Sequence, residues 1–319
     1  MTTFLKEKIL GGLWGAIIGD ALGVPVEFKS REEVRRNPVT TMRGHGTFNL
    51  PPGSWSDDSS LMLCTTESLL DGFDINRMGQ LFIRWYNDSY WTPWGKTFDV
   101  GIATQAGIKR MMRGIPPEEA GGLNENDNGN GSLMRILPVG LYCADSSVAE
   151  IFEYAALASS LTHRHPRCQM ACCFYCLMAA SLMKGLSPLE SYNKAIENTL
   201  KHCCNIPYSK EQSHFNRLFS GSIGDLPEEK VQSGGYVIHT LEASIWCLLN
   251  SHTFAESVLK AVNLGDDTDT TGIVTGGLAG ILYGIEAIPE EWISAIARKE
   301  DIEKLFNDFI NFLASRKIS

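Results

Sequence analysis

The chain carries 319 residues, 44% of them hydrophobic and 20% charged, which is enough apolar material to bury a core in one large domain and a poor match to disorder. Its formal net charge of −9 speaks against a general nucleic-acid binder, which needs a basic face for the phosphates. A phosphate-bearing small molecule stays compatible, because backbone N–H groups or bound cations hold phosphates too.

The opening MTTFLKEKIL places charges before any apolar run reaches the length of a signal-peptide core. In the first predicted helix Gly11, Gly15, Gly19 and Gly23 recur every fourth residue. Each glycine costs about 1 kcal/mol of helix propensity against alanine. Close backbone packing offsets that cost, so the segment reads as a central helix and not as a membrane dimer motif. Arg31, Arg35 and Arg36 read as a solvated face. Residues 59–70, 167–184, 236–249 and 302–313 carry apolar side chains at spacings of three and four, the helical signature. Asp or Ser precedes several of these stretches as an N-cap, and Gly or Pro follows. Strict polar–apolar alternation is almost absent. The expectation is an all-α fold, one domain over residues 1–319, with no repeat and no linker.

Two polar loops are unusually long, residues 92–98 and 121–132, and loops of that kind tend to carry function. Residues 270–285 form the most membrane-like stretch, yet it is short and opens on Asp266, Asp267 and Asp269, so it reads as a buried core helix. The nine cysteines, an odd number without an export signal, point to free thiols in a reducing cytoplasm. Cys168, Cys172 and Cys176 fall on one side of a helix, with Cys173 beside them. Zinc sites want turns between their ligand pairs, so this spacing is ordinary packing.

The chemical signal lies in two acidic segments, each just ahead of a helix: Ser54-Trp55-Ser56-Asp57-Asp58-Ser59 and Gly265-Asp266-Asp267-Thr268-Asp269-Thr270. Adjacent carboxylates repel until water, a proton or a cation neutralises them. With hydroxyls beside them and no His or Cys near, they form a hard oxygen set suited to Mg²⁺, Mn²⁺ or Ca²⁺ and not to zinc. The competing reading is a pair of acidic N-caps, but these carboxylates exceed what capping needs. The Gly and distal Glu of an EF-hand are missing.

Together with 15–23 (GAIIGDALG), 25–28 (PVEF), 98–101 (FDVG), 128–135 (NGNGSLMR), 161–163 (LTH) and 233–237 (SGGYV), these segments resemble the ADP-ribosylglycohydrolase family nearly end to end and in the family's order. The resemblance implies an all-helical fold with two Mg²⁺ or Mn²⁺ ions. Their ligands would be Ser56, Asp57, Asp58, Asp267, Asp269 and Thr270, with Asp269 as the bridge and Glu27 at the metal shell. Three positions depart from the pattern: Ser56 replaces the usual threonine, Asp266 a common glycine, and His239 an often acidic residue.

The activity implied is hydrolysis of the N-glycosidic bond between C1″ of ADP-ribose and an arginine side chain of a modified protein, with Asp57 and Asp58 orienting the water. Asp99 in a Phe-Asp-hydrophobic-Gly motif would hold the guanidinium by paired charge-assisted bonds; read bare, it is an N-cap for the helix from Val100 onward. The loop Asn128, Gly129, Asn130, Gly131 and Ser132 would approach the diphosphate through its backbone. His163 would line the ribose–phosphate part of the cleft, and Tyr236 would stack on sugar or base. The partner is then an ADP-ribosylated protein, neither nucleic acid nor membrane, and a monomer is expected. A serine or O-acetyl linkage, a non-catalytic ADP-ribose binder and a pyrophosphate-cleaving dimetal enzyme remain alternatives. Toxin protection and reversal of a regulatory modification are both open.

Overall fold

The computed structural model describes residues 1–316 and confirms the all-α expectation: among them there are isolated bridges but no strand. In chain order the helices are α1 (Thr3–Gly23), α2 (Arg31–Arg36), α3 (Asp57–Ser68), α4 (Ile75–Asp88), α5 (Ile102–Met112), α6 (Pro117–Ala120), α7 (Leu137–Tyr142) and α8 (Val148–Ser160). There follow α9 (Pro166–Met183), α10 (Pro188–His202), α11 (Asn216–Phe219), α12 (Val237–Leu249), α13 (Phe254–Val262), α14 (Thr268–Tyr283), α15 (Glu290–Ala295) and α16 (Lys299–Arg316). The helices expected at 59–70, 167–184, 236–249 and 302–313 are thus α3, α9, α12 and α16, shifted by a few residues at their ends.

α1 and α14 run antiparallel through the centre, backbone against backbone. A Cβ on Gly11, Gly15 or Gly19 would overlap the carbonyl oxygen of Gly280, Gly276 or Gly272 respectively, and one on Gly23 would overlap the backbone of Asp269. The second glycine series, on α14, completes the ladder that the first one begins. α1 is also the helix, among the described residues, long and apolar enough to cross a membrane, and 94% of its 18-residue apolar window is buried inside the protein. The most membrane-like segment is therefore α1 and not residues 270–285, because helix length as well as apolarity decides.

All four cysteines of α9 are buried and free, as packing requires. Arg31 corrects the solvated-face reading. Its guanidinium donates to the carbonyls of Leu264 (2.7 Å), Glu228 (2.7 Å) and Val231 (2.6 Å), which fastens α2 to the segments ahead of α12 and α14. Arg35 and Arg36 are exposed.

Candidate active site

The glycine ladder brings the C-terminal end of α1 beside the N-terminal ends of α3 and α14. Asp20 lies on the last turn of α1, fully buried. Its carboxylate accepts the N–H of Ser56 (3.0 and 3.1 Å), the N–H of Ser59 (3.0 Å) and the hydroxyl of Ser59 (2.5 Å). Burial raises the Asp20 carboxyl to about 6 even against these hydrogen bonds. Held this way, the start of α3 points Asp57 and Asp58 into a cavity of about 470 Å³, where they meet Glu27, Asp99, Asp267 and Thr270.

The capping explanation covers only part of these acids. Ser56 is the N-cap of α3, its Oγ accepting the Asp58 N–H at 3.2 Å. Asp267 occupies the N-cap position of α14 without using its side chain to cap. Asp99 caps nothing either: α5 begins at Ile102 with Gly101 as N-cap. Asp99 stands in the left-handed region, φ 54°, so the chain turns there before the helix can start. The amide of Gly101 bonds to Asp57, tying this turn to α3.

The carboxylates are too close to be content as anions. One oxygen each from Glu27, Asp267 and Asp269 lies within 4.8 Å of the others. Burial, and then the neighbouring charges of Asp269 and Asp99, drive the Glu27 carboxyl far above its ordinary range. Asp57, Asp58 and Asp269 are raised by burial and by neighbouring carboxylates. Yet Glu27 Oε2, Asp58 Oδ2 and Asp269 Oδ2 are buried without a hydrogen-bond partner. Buried acceptors with no donor, in an all-oxygen set, fit hard divalent cations. Glu27 therefore belongs with the clustered acids as fully as the residues of the two motifs do. The exposed Asp266 does not; its backbone only pairs with Phe28 and Lys29.

Across the cavity, the glycine-rich loop is sewn to the segment before α12. Asn130 N–H donates to Gly235 (3.1 Å), and Val237 N–H to Asn128 (3.0 Å). Asn130 Nδ2 reaches Asp267 Oδ2 at 2.8 Å, joining the loop to the acids. Gly129, Asn130 and Gly131 line the cavity, as does His163. Asn128 and Ser132 do not. Asn128 Nδ2 donates back to Glu125 O (2.9 Å), and Ser132 Oγ accepts from Ser159 (2.9 Å) and Cys172 (3.4 Å) beneath the loop. The two ends of the five-residue stretch anchor it, and only its middle faces the cleft.

Tyr236 is also set back from the cavity. It bridges to Gly129 through its backbone, and its ring meets His239 edge-on at 4.9 Å and the Arg167 guanidinium at 5.8 Å. His239 thereby acquires a place, packed against Tyr236.

Two residues that hold the site were given no role by the sequence reading. Asp20 is one; a carboxylate in the apolar run of residues 9–22 was its signal. Arg135 is the other. Buried, it donates to Gly131 O (2.6 Å), Thr162 Oγ1 (3.0 Å) and Ala158 O (3.0 Å). Thr162 Oγ1 contacts His163 Nδ1 at 2.7 Å. Thr162 thus stands between the Arg135 guanidinium and the His163 ring, which fixes the orientation of the imidazole. Burial, and then the Arg135 charge, push the His163 pKa down to about 3.

The family model for ADP-ribosylglycohydrolase matches residues 1–317. The chain is 32% identical over 308 residues to the ADP-ribosylarginine hydrolase Tri1 of Pseudomonas putida, covering 96% of this chain and 78% of that protein. It is 29% identical to the ADP-ribosyl-dinitrogen reductase glycohydrolase of Rhodospirillum rubrum, covering 94% and 93%. A solved structure described as an ADP-ribosylglycohydrolase-related protein complex superposes with a TM-score of 0.81 at 29% identity, over 98% of this chain and 100% of that one. The chain belongs to the ADP-ribosylglycohydrolase family.

Proposed function

We propose that this glycohydrolase cleaves the bond between C1″ of ADP-ribose and an arginine side chain of a modified protein. The observation that carries the arginine assignment is Asp99. Its carboxylate enters a cavity lined by acids, with neither Lys nor Arg among the lining residues, so it has no cationic partner there. An incoming guanidinium supplies that partner. The Tri1 relative is named as an ADP-ribosylarginine hydrolase, which supports the same linkage.

The acids would hold two Mg²⁺ or Mn²⁺ ions, with Ser56, Asp57, Asp58, Asp267, Asp269, Thr270 and Glu27 as ligands. Asp269 suits the bridging position: it is the neighbour whose charge most raises Asp58, and it shares the tight group with Glu27 and Asp267. When bound, the cations supply positive charge that fixes the ribose hydroxyls and makes water more acidic.

The protein's own groups then account for the rest. Gly129 and Gly131 offer backbone without side-chain bulk where the diphosphate would lie, and the His163 ring lies beside them. Asp57 and Asp58 orient a water toward C1″. The C1″–N bond breaks as the water oxygen bonds to C1″; one water proton is retained in the new hydroxyl and the other ends on the departing guanidine. Positive charge developing on the sugar is stabilised by the surrounding carboxylates, and Asp99 keeps the leaving group aligned.

Product analysis tests this reading. Incubation with ADP-ribosyl-arginine and with ADP-ribosyl-serine should release free ADP-ribose from the arginine conjugate at a much higher rate. AMP as product, no product, or equal rates on both linkages would each overturn it.

A further inference from the structure

Beside Asp99 the surface changes character. Phe28 is 68% exposed and Ile102 is 91% exposed, and both stand at the mouth of the cavity. From Phe28 the apolar strip runs to Phe48 (ring centroids 6.3 Å apart) and on to Phe98 (5.1 Å from Phe48), the residue preceding Asp99. No core claims these side chains. Phe28 is held at φ 64°, a conformation an aromatic residue rarely adopts. Its N–H is fixed on Asp266 O at 2.8 Å. The backbone thus buries Glu27 among the acids and turns the next side chain, a phenyl ring, out to solvent. A strained residue that presents a large apolar group to water, at the edge of a catalytic cleft, points to a function outside the fold.

We propose that this strip, Phe28–Phe48–Phe98 with Ile102 at the same cavity mouth, is the docking surface for the polypeptide that carries the modified arginine, making contact with apolar side chains around it. The inference rests on the arginine reading above. With ADP-ribose in the cavity and the guanidinium on Asp99, the rest of the arginine side chain leaves through the mouth where Phe28 and Ile102 stand, and the protein attached to it lies on this rim. The cavity recognises the ADP-ribose and the linkage; the rim recognises the carrier.

The experiment compares two substrates: ADP-ribosyl-agmatine, which has no polypeptide, and a folded carrier protein modified on a surface arginine by an arginine-specific ADP-ribosyltransferase. The double variant Phe28→Ser, Ile102→Ser should lose about tenfold or more in kcat/KM on the protein, through KM, as truncation of apolar interface anchors does. On ADP-ribosyl-agmatine it should stay within about twofold of the parent, the scale of a change outside the reacting geometry. Phe28→Tyr, which keeps the ring, should retain activity on the protein.

An equal loss on both substrates would overturn the proposal by making the strip part of the small-molecule site. No loss on either would overturn it as well. So would a wild-type dimer that becomes monomeric in the double variant, because the rim would then be an interface between copies. Wild-type inactivity on both arginine substrates would instead overturn the arginine reading itself, and the docking surface with it.

Discussion

The Asp20 carboxylate receives the N–H of Ser56 on both of its oxygens, at 3.0 and 3.1 Å. A residue on the central helix thereby fixes the first turn of α3, and with it Asp57 and Asp58. Asn at this position keeps the shape but exchanges one acceptor for an NH₂ that faces the N–H groups of Ser56 and Ser59. Hydrogen bonds to a charged group are worth about 1.5–3 kcal/mol each, so Asp20→Asn should lower the melting temperature and weaken metal binding together. Calorimetric metal titration with a thermal melt checks this; native metal affinity in the variant would show that α3 holds its own register.

Asp269 should matter to both ions at once. Saturating Mg²⁺ or Mn²⁺ should give two ions per chain by elemental analysis. Each ion present at a hundred times its dissociation constant should stabilise the fold by about 2.7 kcal/mol, which chelation removes. Asp269→Asn should lower the occupancy of both. A single ion in the parent, or two retained at full occupancy in the variant, contradicts a bridging Asp269.

Much of this was legible in the sequence, for identifiable reasons. Helical periodicity in residues 59–70 or 167–184 survives any tertiary detail, because burial selects one face of a helix. Paired acids such as Asp57-Asp58 stand out because nothing structural requires two. The parts that were not legible depend on where the backbone turns. Ser132 and Gly131 are neighbours with the same polar, flexible surroundings, and only the Ser159 and Cys172 contacts show that Ser132 faces inward. Asp99 looked like a helix cap because the sequence does not reveal its left-handed φ. Asp20 reaches Ser56 and Ser59, and Arg135 reaches Ala158 and Thr162, distant partners that no local pattern announces.

Gly131 sits where side-chain bulk has no room. A Cβ there would come within 2.8 Å of His163 Cε1 and 2.9 Å of Thr104 Oγ1, whereas at Gly129 the nearest atom would be 3.5 Å away. Gly131→Val should therefore displace the loop and His163, weakening ADP-ribose binding by about tenfold, or about 1.4 kcal/mol, with metal binding much less affected. Gly129→Ala should be the milder change. Unchanged ADP-ribose affinity in Gly131→Val, measured by calorimetry, would return the loop to the status of a plain turn.

His163 predicts a pH dependence of stability. Its pKa is about 3 in the folded protein and about 6.5 in an unfolded chain. Between those values the unfolded state binds a proton that the native state refuses, so stability falls as pH drops below about 6.5, by up to about 1.4 kcal/mol per pH unit. His163→Gln removes this contribution. Denaturant unfolding of the metal-free proteins at pH 7 and pH 5 should show a shallower acid loss in the variant, whatever the carboxylates add to both. Identical slopes would mean that His163 takes up its proton within the fold.

Asp99 decides the linkage. Asparagine tolerates the left-handed backbone as aspartate does, so Asp99→Asn should keep the fold and both metals while losing the negative charge. The charge-assisted pair with a guanidinium is worth about 1.5–3 kcal/mol, which predicts roughly a tenfold to hundredfold drop in kcat/KM on ADP-ribosyl-arginine. If Asp99 also moves the proton to the leaving nitrogen, the rate falls by a further factor of about 10²–10⁴. An ADP-ribosyl-serine or O-acetyl-ADP-ribose substrate brings no cation to Asp99, so residual turnover of those substrates should fall much less. The discriminating measurement is the ratio of arginine to serine turnover in parent and variant. The parent should favour arginine by a wide margin, and the variant should lose most of that preference. A ratio that the substitution leaves unchanged would sink the guanidinium assignment while leaving the glycohydrolase intact.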